Sequence, residues 1–213
     1  MVFSSWSGGK DSALALYRAL KDFKEVEKVD ILFTMFDENC ERTRAHGLPK
    51  ALIQAQAESI GAKSVIRCAS WESYESEFLK FLEEYAKGGI GIFGDIDLQE
   101  HRDWVERVCG TYNVKALEPL WLEKREKLLE EFLNLGFKAI IVAVKNGFED
   151  LLGLDLHSRE TIKLIEKLGW DLSGENGEYH TFVYDGPIFK EPINFKIVGK
   201  HVTEKNAYLV LDI

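Results

Sequence analysis

Cysteine is scarce in this chain of 213 residues, which has only Cys40, Cys68 and Cys109. No pair of them has the Cys-x-x-Cys spacing that is typical of zinc and redox sites. Three widely separated cysteines do not suggest a disulfide framework either. We therefore predict no disulfide and no zinc site, and we expect each cysteine to be a buried or unreactive thiol.

The chain also lacks long hydrophobic runs and an excess of positive charge. No segment approaches the ~20 apolar residues of a transmembrane helix. Met1-Val2-Phe3 leads directly into a loop, which leaves no room for a signal peptide. These features predict a cytoplasmic protein with no membrane partner. The net charge of −9 argues against a nucleic-acid partner, because binding a phosphate backbone requires clustered Lys and Arg.

Apolar and amphipathic runs alternate along the first half of the chain, which is typical of a parallel sheet covered by helices. We predict an α/β fold with a doubly wound, parallel, five-stranded sheet as a nucleotide-binding domain over residues 1–117. A C-terminal α+β region follows over residues 118–213. The predicted strands of the first domain are 2–6, 29–36, 63–68, 89–93 and 114–117, and its predicted helices are 10–23, 48–60, 72–87 and 98–112. The second region has predicted helices at 121–135 and 159–168 and predicted strands at 139–144, 178–184, 195–202 and 207–211.

The most informative segment joins the first strand to the first helix and contains Ser7-Gly8-Gly9-Lys10-Asp11-Ser12. Two glycines let a backbone approach an anion closely, and the N–H groups of the first helical turn favour negative charge. Lys10 adds a cation, Ser7 and Ser12 add hydroxyl donors, and Asp11 can bind magnesium or cap the helix. The segment is not a Walker loop, because Asp11 follows the lysine, and it lacks the Gly-x-Gly-x-x-Gly of dinucleotide sites. It predicts a nucleotide-binding loop.

Ligands of such sheets bind at the carboxyl ends of the strands, where the strand order reverses. We therefore expect Phe36 near the base of a nucleotide site and Gly94-Asp95 across from it. The loop 37–47, which carries Arg44 and His46, is expected beside the phosphates or a second substrate. Solvated side chains are the alternative for both residues.

A second polar cluster, residues 174–187, contains Glu175, Asn176, Glu178, Tyr179 and His180, followed by Thr181 at the start of a predicted strand. This cluster carries more reactive side chains than a turn requires. An alternative remains open, because Asn-Gly favours a hairpin turn that would leave the strand residues facing solvent.

The block Ser-Gly-Gly-Lys-Asp-Ser resembles the PP-loop of ATP pyrophosphatases, which cleave ATP between the α and β phosphates. Together with the C-terminal Gly-Glu-Asn-Gly-Glu-Tyr-His-Thr-Phe-Val-Tyr-Asp, it resembles the diphthine–ammonia ligase family. The resemblance extends to Arg44-Ala45-His46-Gly47, residues 56–61 and Glu118-Pro119-Leu120-Trp121, and so spans nearly the whole chain. It implies an adenine-nucleotide α-hydrolase-like fold and the ATP-dependent amidation of diphthine on elongation factor 2. Ammonium, ATP and Mg²⁺ are then required, AMP and pyrophosphate are released, and a homodimer is expected.

The resemblance also implies roles for particular side chains. Lys10, Asp11, Glu175 and Glu178 are the candidate catalytic residues, and Asp11 is the candidate metal ligand. ATP would contact the motif residues Ser7, Gly8, Gly9, Lys10, Asp11 and Ser12, together with Phe36, Gly94 and Asp95, which are expected there from their positions at the ends of strands. The acceptor would contact Arg44, His46, Asn176, Tyr179, His180 and Thr181 in the C-terminal acceptor-binding region and the adjacent loop. Trp71 is expected in the core, with a cation–π face as the alternative.

The chain departs from the family pattern at two positions, because Asn176 replaces a glycine and His180 replaces a glutamate. His180 is therefore either a general base or a solvent-facing strand residue. Two other functions remain open. One is a PP-loop enzyme that adenylates a different acceptor, for example a tRNA-thiolating enzyme, which would need a reactive cysteine and a basic RNA surface. The other is a nucleotide-binding protein without catalytic activity.

Overall fold

The computed structural model describes all residues, 1–213, and contains two sheets. The first is wholly parallel, with the order β3-β2-β1-β4-β5. Its strands are β1 (Val2–Ser5), β2 (Ile31–Phe36), β3 (Lys63–Cys68), β4 (Ile90–Ile92) and β5 (Lys115–Leu117). All six residues of β2 are buried, as a central strand with both faces covered requires. The strand order reverses between β1 and β4, which confirms the predicted doubly wound α/β class.

The helices of this half are α1 (Lys10–Asp22), α2 (Lys50–Ile60), α3 (Tyr74–Phe81) and α4 (Gln99–Thr111), and a π-helical turn over Leu82–Ala86 extends α3. Helix α2 begins two residues later than predicted because Pro49 takes the N-cap position in an extended conformation. It ends at Gly61, whose φ of +88° and N–H bonds to the Ala57 and Glu58 carbonyls form the expected glycine C-cap.

The second sheet is antiparallel, with the order β7-β6-β9-β8. Its strands are β6 (Lys138–Lys145), β7 (Tyr179–Asp185), β8 (Lys196–Val202) and β9 (Asn206–Asp212), and the helices are α5 (Arg125–Asn134), α6 (Arg159–Lys167) and a short 3₁₀ turn, Glu149–Leu151. Helix α5 begins at Arg125, four residues later than the predicted start at Trp121. Leu122 has a φ of +58°, which a continuous right-handed helix does not allow.

One hydrophobic core joins the two halves of the chain. It combines Leu14 and Leu16 of α1 with Ile141 of β6 and Phe182 of β7, all fully buried or nearly so. The division into residues 1–117 and 118–213 stays a prediction. The shared core means that β7 lies against the first half, where it can contribute to a site at the end of β1.

The prediction of no disulfide is wrong, because Cys40 and Cys68 are bonded to each other. The loop after β2 turns back so that Thr43 bridges to Phe36, and Phe36 is paired with Cys68 in the β2–β3 register. This brings the Cα atoms of Cys40 and Cys68 to 5.2 Å, within the range of disulfides. Cys109 is a buried free thiol, as expected. None of the helices combines the length and the hydrophobicity that a membrane span requires.

We expect Cys40→Ser to lower the free energy of unfolding by about 3.5 kcal/mol, because the bond closes a loop of 28 residues in the unfolded chain. Urea unfolding with and without a reductant measures the effect. Reductant should lower the midpoint of the wild type and leave that of the variant unchanged. Equal midpoints for wild type and variant under oxidising conditions would contradict the prediction.

Candidate active site

A cavity of about 810 Å³ opens at the carboxyl ends of β1, β2 and β4, where the strand order reverses. Both halves of the chain line it. Ser7, Lys10 and Asp11 come from the loop and the first turn of α1, and Glu175 and His180 come from the segment around the start of β7. The structure thus brings together two motifs from opposite ends of the sequence.

The loop between β1 and α1 presents unpaired backbone donors. The N–H groups of Ser7, Gly8, Asp11 and Ser12 have no acceptor within the protein. Gly8 has a φ of +84°, which a side chain would strain. A Cβ on Gly9 would collide with the His46 ring. The loop therefore has the conformation and the free donors of an anion-binding site.

Lys10 provides the cation of this loop, and carboxylates from both halves surround it. Its Nζ lies 2.7 Å from Asp11 Oδ2 and 3.6 Å from Glu175 Oε1, and it faces the Tyr179 ring at 5.9 Å from the centroid. Burial opposes the lysine charge, but the nearby Asp11, Tyr179 and Glu175 outweigh it, so the pKa of Lys10 is raised. Lys10 stays a cation although it is buried.

Glu175 titrates differently from an exposed carboxylate. Burial and repulsion from Asp11 raise its pKa to about 7, while Lys10 and Arg125 act in the opposite direction. Glu175 can therefore gain or lose a proton near neutral pH beside a fixed cation. This is the property that an acid–base group requires.

Two neutral histidines stand on the other side of the loop. Burial lowers the pKa of His46 to about 4 and that of His180 to about 3, and the ring centroids are 4.8 Å apart. His46 Nδ1 lies 2.7 Å from the Thr181 carbonyl oxygen, which can only accept, so Nδ1 carries the proton. Both rings lie in the cavity without adding charge to it. His180 is not the solvent-facing strand residue that one of the alternatives described.

The expectation that Trp71 lies in the core is wrong, because its side chain is 77% exposed. The guanidinium carbon of Arg44 lies 4.5 Å from the centre of its ring, and the Tyr74 ring stacks at 6.3 Å. Arg44 Nε and Nη2 are buried and have no hydrogen-bond acceptor. Arg44 lines the cavity and carries two donor nitrogens that no protein group engages.

Phe36 is fully buried in the core and does not line the cavity, so its expected place near the nucleotide is wrong. As the last residue of β2, it points to the opposite face of the sheet from Met35, which does line the cavity. Gly8 and Gly9 also lie behind the cavity wall, where they shape the loop. Of the remaining predicted ATP contacts, Ser12, Gly94 and Asp95 line the cavity.

Neither Glu178 nor Asn176 lines the cavity, so the structure does not bring the expected catalytic carboxylate of Glu178 or the expected acceptor contact of Asn176 to the site. The buried Glu178 carboxylate accepts hydrogen bonds from the Asp171 and Asn176 N–H groups and from the Asn176 side-chain amide. These bonds fold the turn that carries Glu175. The turn follows α6 rather than a paired strand, so the hairpin interpretation of Asn176-Gly177 is also wrong. Tyr179 and Thr181 do line the cavity.

We expect Glu178→Ala to lower the free energy of unfolding by about 2 kcal/mol, because it leaves the Asp171 and Asn176 N–H groups without a carboxylate acceptor. The rate of the amidation that the resemblance implies should fall as well, because the turn that carries Glu175 loosens. Chemical denaturation together with an activity assay measures both effects. Glu204→Ala, at an exposed turn in the same half, is the control. Unchanged transfer in the Glu178 variant would contradict this role.

Two further residues shape the site and were not predicted. Arg125 at the start of α5 binds Asp97 at 2.7 and 2.8 Å and Asp171 at 2.7 Å, which ties the loop after β4 to the Glu175 turn. No local pattern marks this residue. Gln56 of α2 is fully buried and binds the loop. A signal for it exists, because Gln56 stands in phase with the apolar Leu52 and Ile53 of the same helix.

Comparisons with known proteins agree with this geometry. The family model "Diphthamide synthase N-terminal domain" matches residues 1–116, and "Diphthamide synthase C-terminal domain" matches residues 124–212. The diphthine–ammonia ligases of Mus musculus and Homo sapiens are each 36% identical over 128 residues, which is 55% of this chain and 46% of theirs. That of Schizosaccharomyces pombe is 35% identical over 167 residues, 71% of this chain and 27% of its own.

The alignments thus span about half the length of the mammalian relatives. A solved structure titled as a "predicted subunit of tRNA methyltransferase" from Methanocaldococcus jannaschii has a TM-score of 0.43 and 15% identity, with 90% of this chain and 98% of that one covered. The two family models together match nearly the whole chain, and the resemblance read from the two motifs is confirmed. This chain belongs to the diphthamide synthase family.

Proposed function

We propose that this protein is an ATP-dependent ligase that converts a carboxylate to an amide with ammonia and releases AMP and pyrophosphate. The acceptor is the diphthine side chain of elongation factor 2. The observation that carries the proposal is the meeting of Lys10, Asp11 and Glu175 at a loop with free backbone donors. The ligase names of the relatives support the reaction class.

The loop suits the phosphates of ATP. The unpaired N–H groups of Ser7, Asp11 and Ser12 and the Lys10 ammonium supply donors and positive charge on one side of the cavity. At about 810 Å³, the cavity is within the range of sites that hold small molecules, and it leaves room for an acceptor side chain beside a nucleotide.

Magnesium fits the same place. No group of three or more His, Cys, Asp or Glu side chains is placed to hold a metal ion by itself. Mg²⁺ sites at nucleotides commonly use one or two carboxylates together with phosphate oxygens and water. Asp11 would supply the carboxylate, since it lines the cavity at the first turn of α1. Bound there, Mg²⁺ would neutralise phosphate charge.

The reaction has two steps. In the first, a carboxylate oxygen of the acceptor attacks the α-phosphorus, the bond to the bridging oxygen breaks, and pyrophosphate leaves. In the second, ammonia attacks the acyl carbon, the bond from that carbon to the AMP oxygen breaks, and AMP leaves. Lys10 lowers the repulsion between the two anions of the first step. Glu175 takes the proton that the nitrogen loses in the second step, and its pKa of about 7 suits this task.

The acceptor would approach through the open mouth, where Arg44 offers free donors and where His46, Tyr179, His180 and Thr181 form the wall. Elongation factor 2 as the protein substrate, ammonium as the nitrogen donor and the homodimer all belong to this proposal.

The state of the three cysteines argues against a tRNA-thiolating enzyme, which would need a reactive thiol. Cys40 and Cys68 are bonded to each other, and burial raises the pKa of the Cys109 thiol to about 12. A thiol with such a pKa is a poor nucleophile near neutral pH. None of the three lines the cavity. A nucleotide-binding protein without catalytic activity remains the second candidate, and the experiment below separates it from a ligase.

The proposal is tested by incubating the protein with ATP, Mg²⁺, ammonium and diphthine-bearing elongation factor 2. AMP formation and the mass of the factor are followed together. AMP formation with the small mass loss of an acid-to-amide conversion is the expected result. Nucleotide binding without any AMP would favour the protein without catalytic activity. AMP formation without the mass change would place the acceptor elsewhere.

A further inference from the structure

The phosphate-binding loop is held by strand β7, which comes from the opposite end of the chain. Lys10 N–H donates to Thr181 Oγ1 at 3.1 Å, and Val183 N–H donates to the Gly8 carbonyl oxygen at 2.9 Å. Two alternate residues of one strand thus contact the loop at both of its ends. The same strand begins beside the residues that are proposed to meet the acceptor.

The Gln56 side chain stands where these segments meet. Its Oε1 accepts from the Trp6 indole N–H at 2.8 Å, and its Nε2 donates to the Gly8 carbonyl oxygen at 3.1 Å and to the Val183 carbonyl oxygen at 2.6 Å. Both amide hydrogens and the oxygen are therefore engaged. Gln56 is fully buried, and Trp6 is 2% exposed, so water does not replace these bonds.

Most of the hydrogen bonds of the Gln56 side chain hold the loop and not the core. Two of its three bonds go to residues 6 and 8, which flank the turn into the loop. Gly8 is the residue whose φ of +84° sets the direction of the free N–H groups. A Cβ at Gly8 would lie 3.1 Å from Gln56 Oε1, so the glycine and the amide are packed directly together.

We infer that Gln56 is a positioning residue for phosphate binding, which fixes the loop against β7 and thereby couples the nucleotide site to the acceptor strand. This inference rests on the proposed binding of ATP. Gln56 touches no reacting atom in it. Its effect would be on the placement of the N–H groups of Ser7, Asp11 and Ser12, which would contact phosphate and not the adenosine part of ATP.

The experiment compares Gln56→Glu with Gln54→Glu. Gln54 lies on the exposed side of the same helix, so its substitution does not reach the loop. A buried glutamate has nearly the shape of the amide and, once protonated, can donate to only one of the two carbonyl oxygens of Gly8 and Val183. Dissociation constants for ATP and for adenosine are measured by titration calorimetry well below the melting temperature of each variant. Adenosine serves as the probe without phosphates.

For Gln56→Glu we expect ATP to bind about tenfold more weakly and adenosine to bind as in the wild type, since the loss of one hydrogen bond corresponds to about that factor. Gln54→Glu should bind both ligands like the wild type. Equal weakening of ATP and adenosine in Gln56→Glu would overturn the inference, because that is the signature of a merely structural role. Unchanged ATP binding would overturn it as well.

A second pair of variants changes no charge, so it separates the loss of a contact from repulsion between a carboxylate and phosphate, and it also serves if Gln56→Glu does not fold. Thr181→Val keeps the shape of the side chain and removes the acceptor for Lys10 N–H, whereas Thr181→Ser keeps the acceptor. The coupling predicts weaker ATP binding with unchanged adenosine binding for valine and near wild-type binding for serine. Identical behaviour of the two variants would contradict it. If the wild type binds no ATP at all, the proposed function fails rather than this inference.

Discussion

Lys10→Ala is expected to abolish AMP formation, with a loss of at least about 10³-fold in the rate of the first step. The lysine is the cation at the centre of the phosphate loop, and the surrounding carboxylates hold its charge in place. Without it, an anionic acceptor would have to approach an anionic nucleotide between Asp11 and Glu175. The measurement is AMP release with saturating ATP, Mg²⁺, ammonium and acceptor.

The matched control is Lys21→Ala on the same helix, where the lysine is exposed and lies over the Tyr17 ring. It should leave AMP release within a factor of two of the wild type, since exposed cation–π contacts contribute little. Retention of more than a tenth of the activity in Lys10→Ala would show that another group neutralises the phosphates. Asp11→Ala is expected to have an effect of similar size if Asp11 holds the magnesium ion.

Glu175→Gln should have the second-largest effect, a loss of about 10²-fold in amide formation with ATP binding retained. The glutamine keeps the shape of the side chain but cannot accept a proton. The wild type needs the carboxylate form, whose fraction rises with pH around the pKa of about 7. Amide formation at a constant concentration of free ammonia should therefore rise between about pH 6 and pH 8.

In the Glu175→Gln variant this rise should disappear, because the titrating group is gone. Glu100→Gln is the control, since Glu100 lines the same cavity from an exposed position at the start of α4. It should keep both the rate and the pH dependence of the wild type. A Glu175→Gln variant that kept the pH dependence would assign the proton transfer to another group.

Much of the fold follows from local pattern. The buried run of β2, the amphipathic α1 and α2 and the glycine at the end of α2 were each predicted to within a few residues. Each depends on interactions within a few positions of the sequence, and that is where periodicity and capping carry information. The late start of α5 is not predictable from this segment, because Leu122 has a positive φ and its N–H donates to the distant Ile96 carbonyl oxygen.

The sequence predicts those parts of the candidate site whose residue types are suited to a single kind of chemistry. The phosphate loop and Glu175 meet as the motifs suggested. Glu178 stands three positions from Glu175 and is chemically identical, yet it points into the turn and holds its backbone. The difference lies in the direction of each side chain, which the turn sets. The Cys40–Cys68 bond was missed for a similar reason, since it depends on the register of two strands.

Cutting this protein after β5 would separate the two halves that share one hydrophobic core. A fragment ending after β5 would lose the partners of Lys10 N–H, Gln56 and the Gly8 carbonyl oxygen. It would also expose the face of α1 that packs on α5 and β7. Such a fragment contains every residue of the phosphate motif and would still be a poor ATP-binding module, prone to aggregate. In this chain, the loop motif is local in sequence, but the contacts that hold the loop come from both ends of the chain.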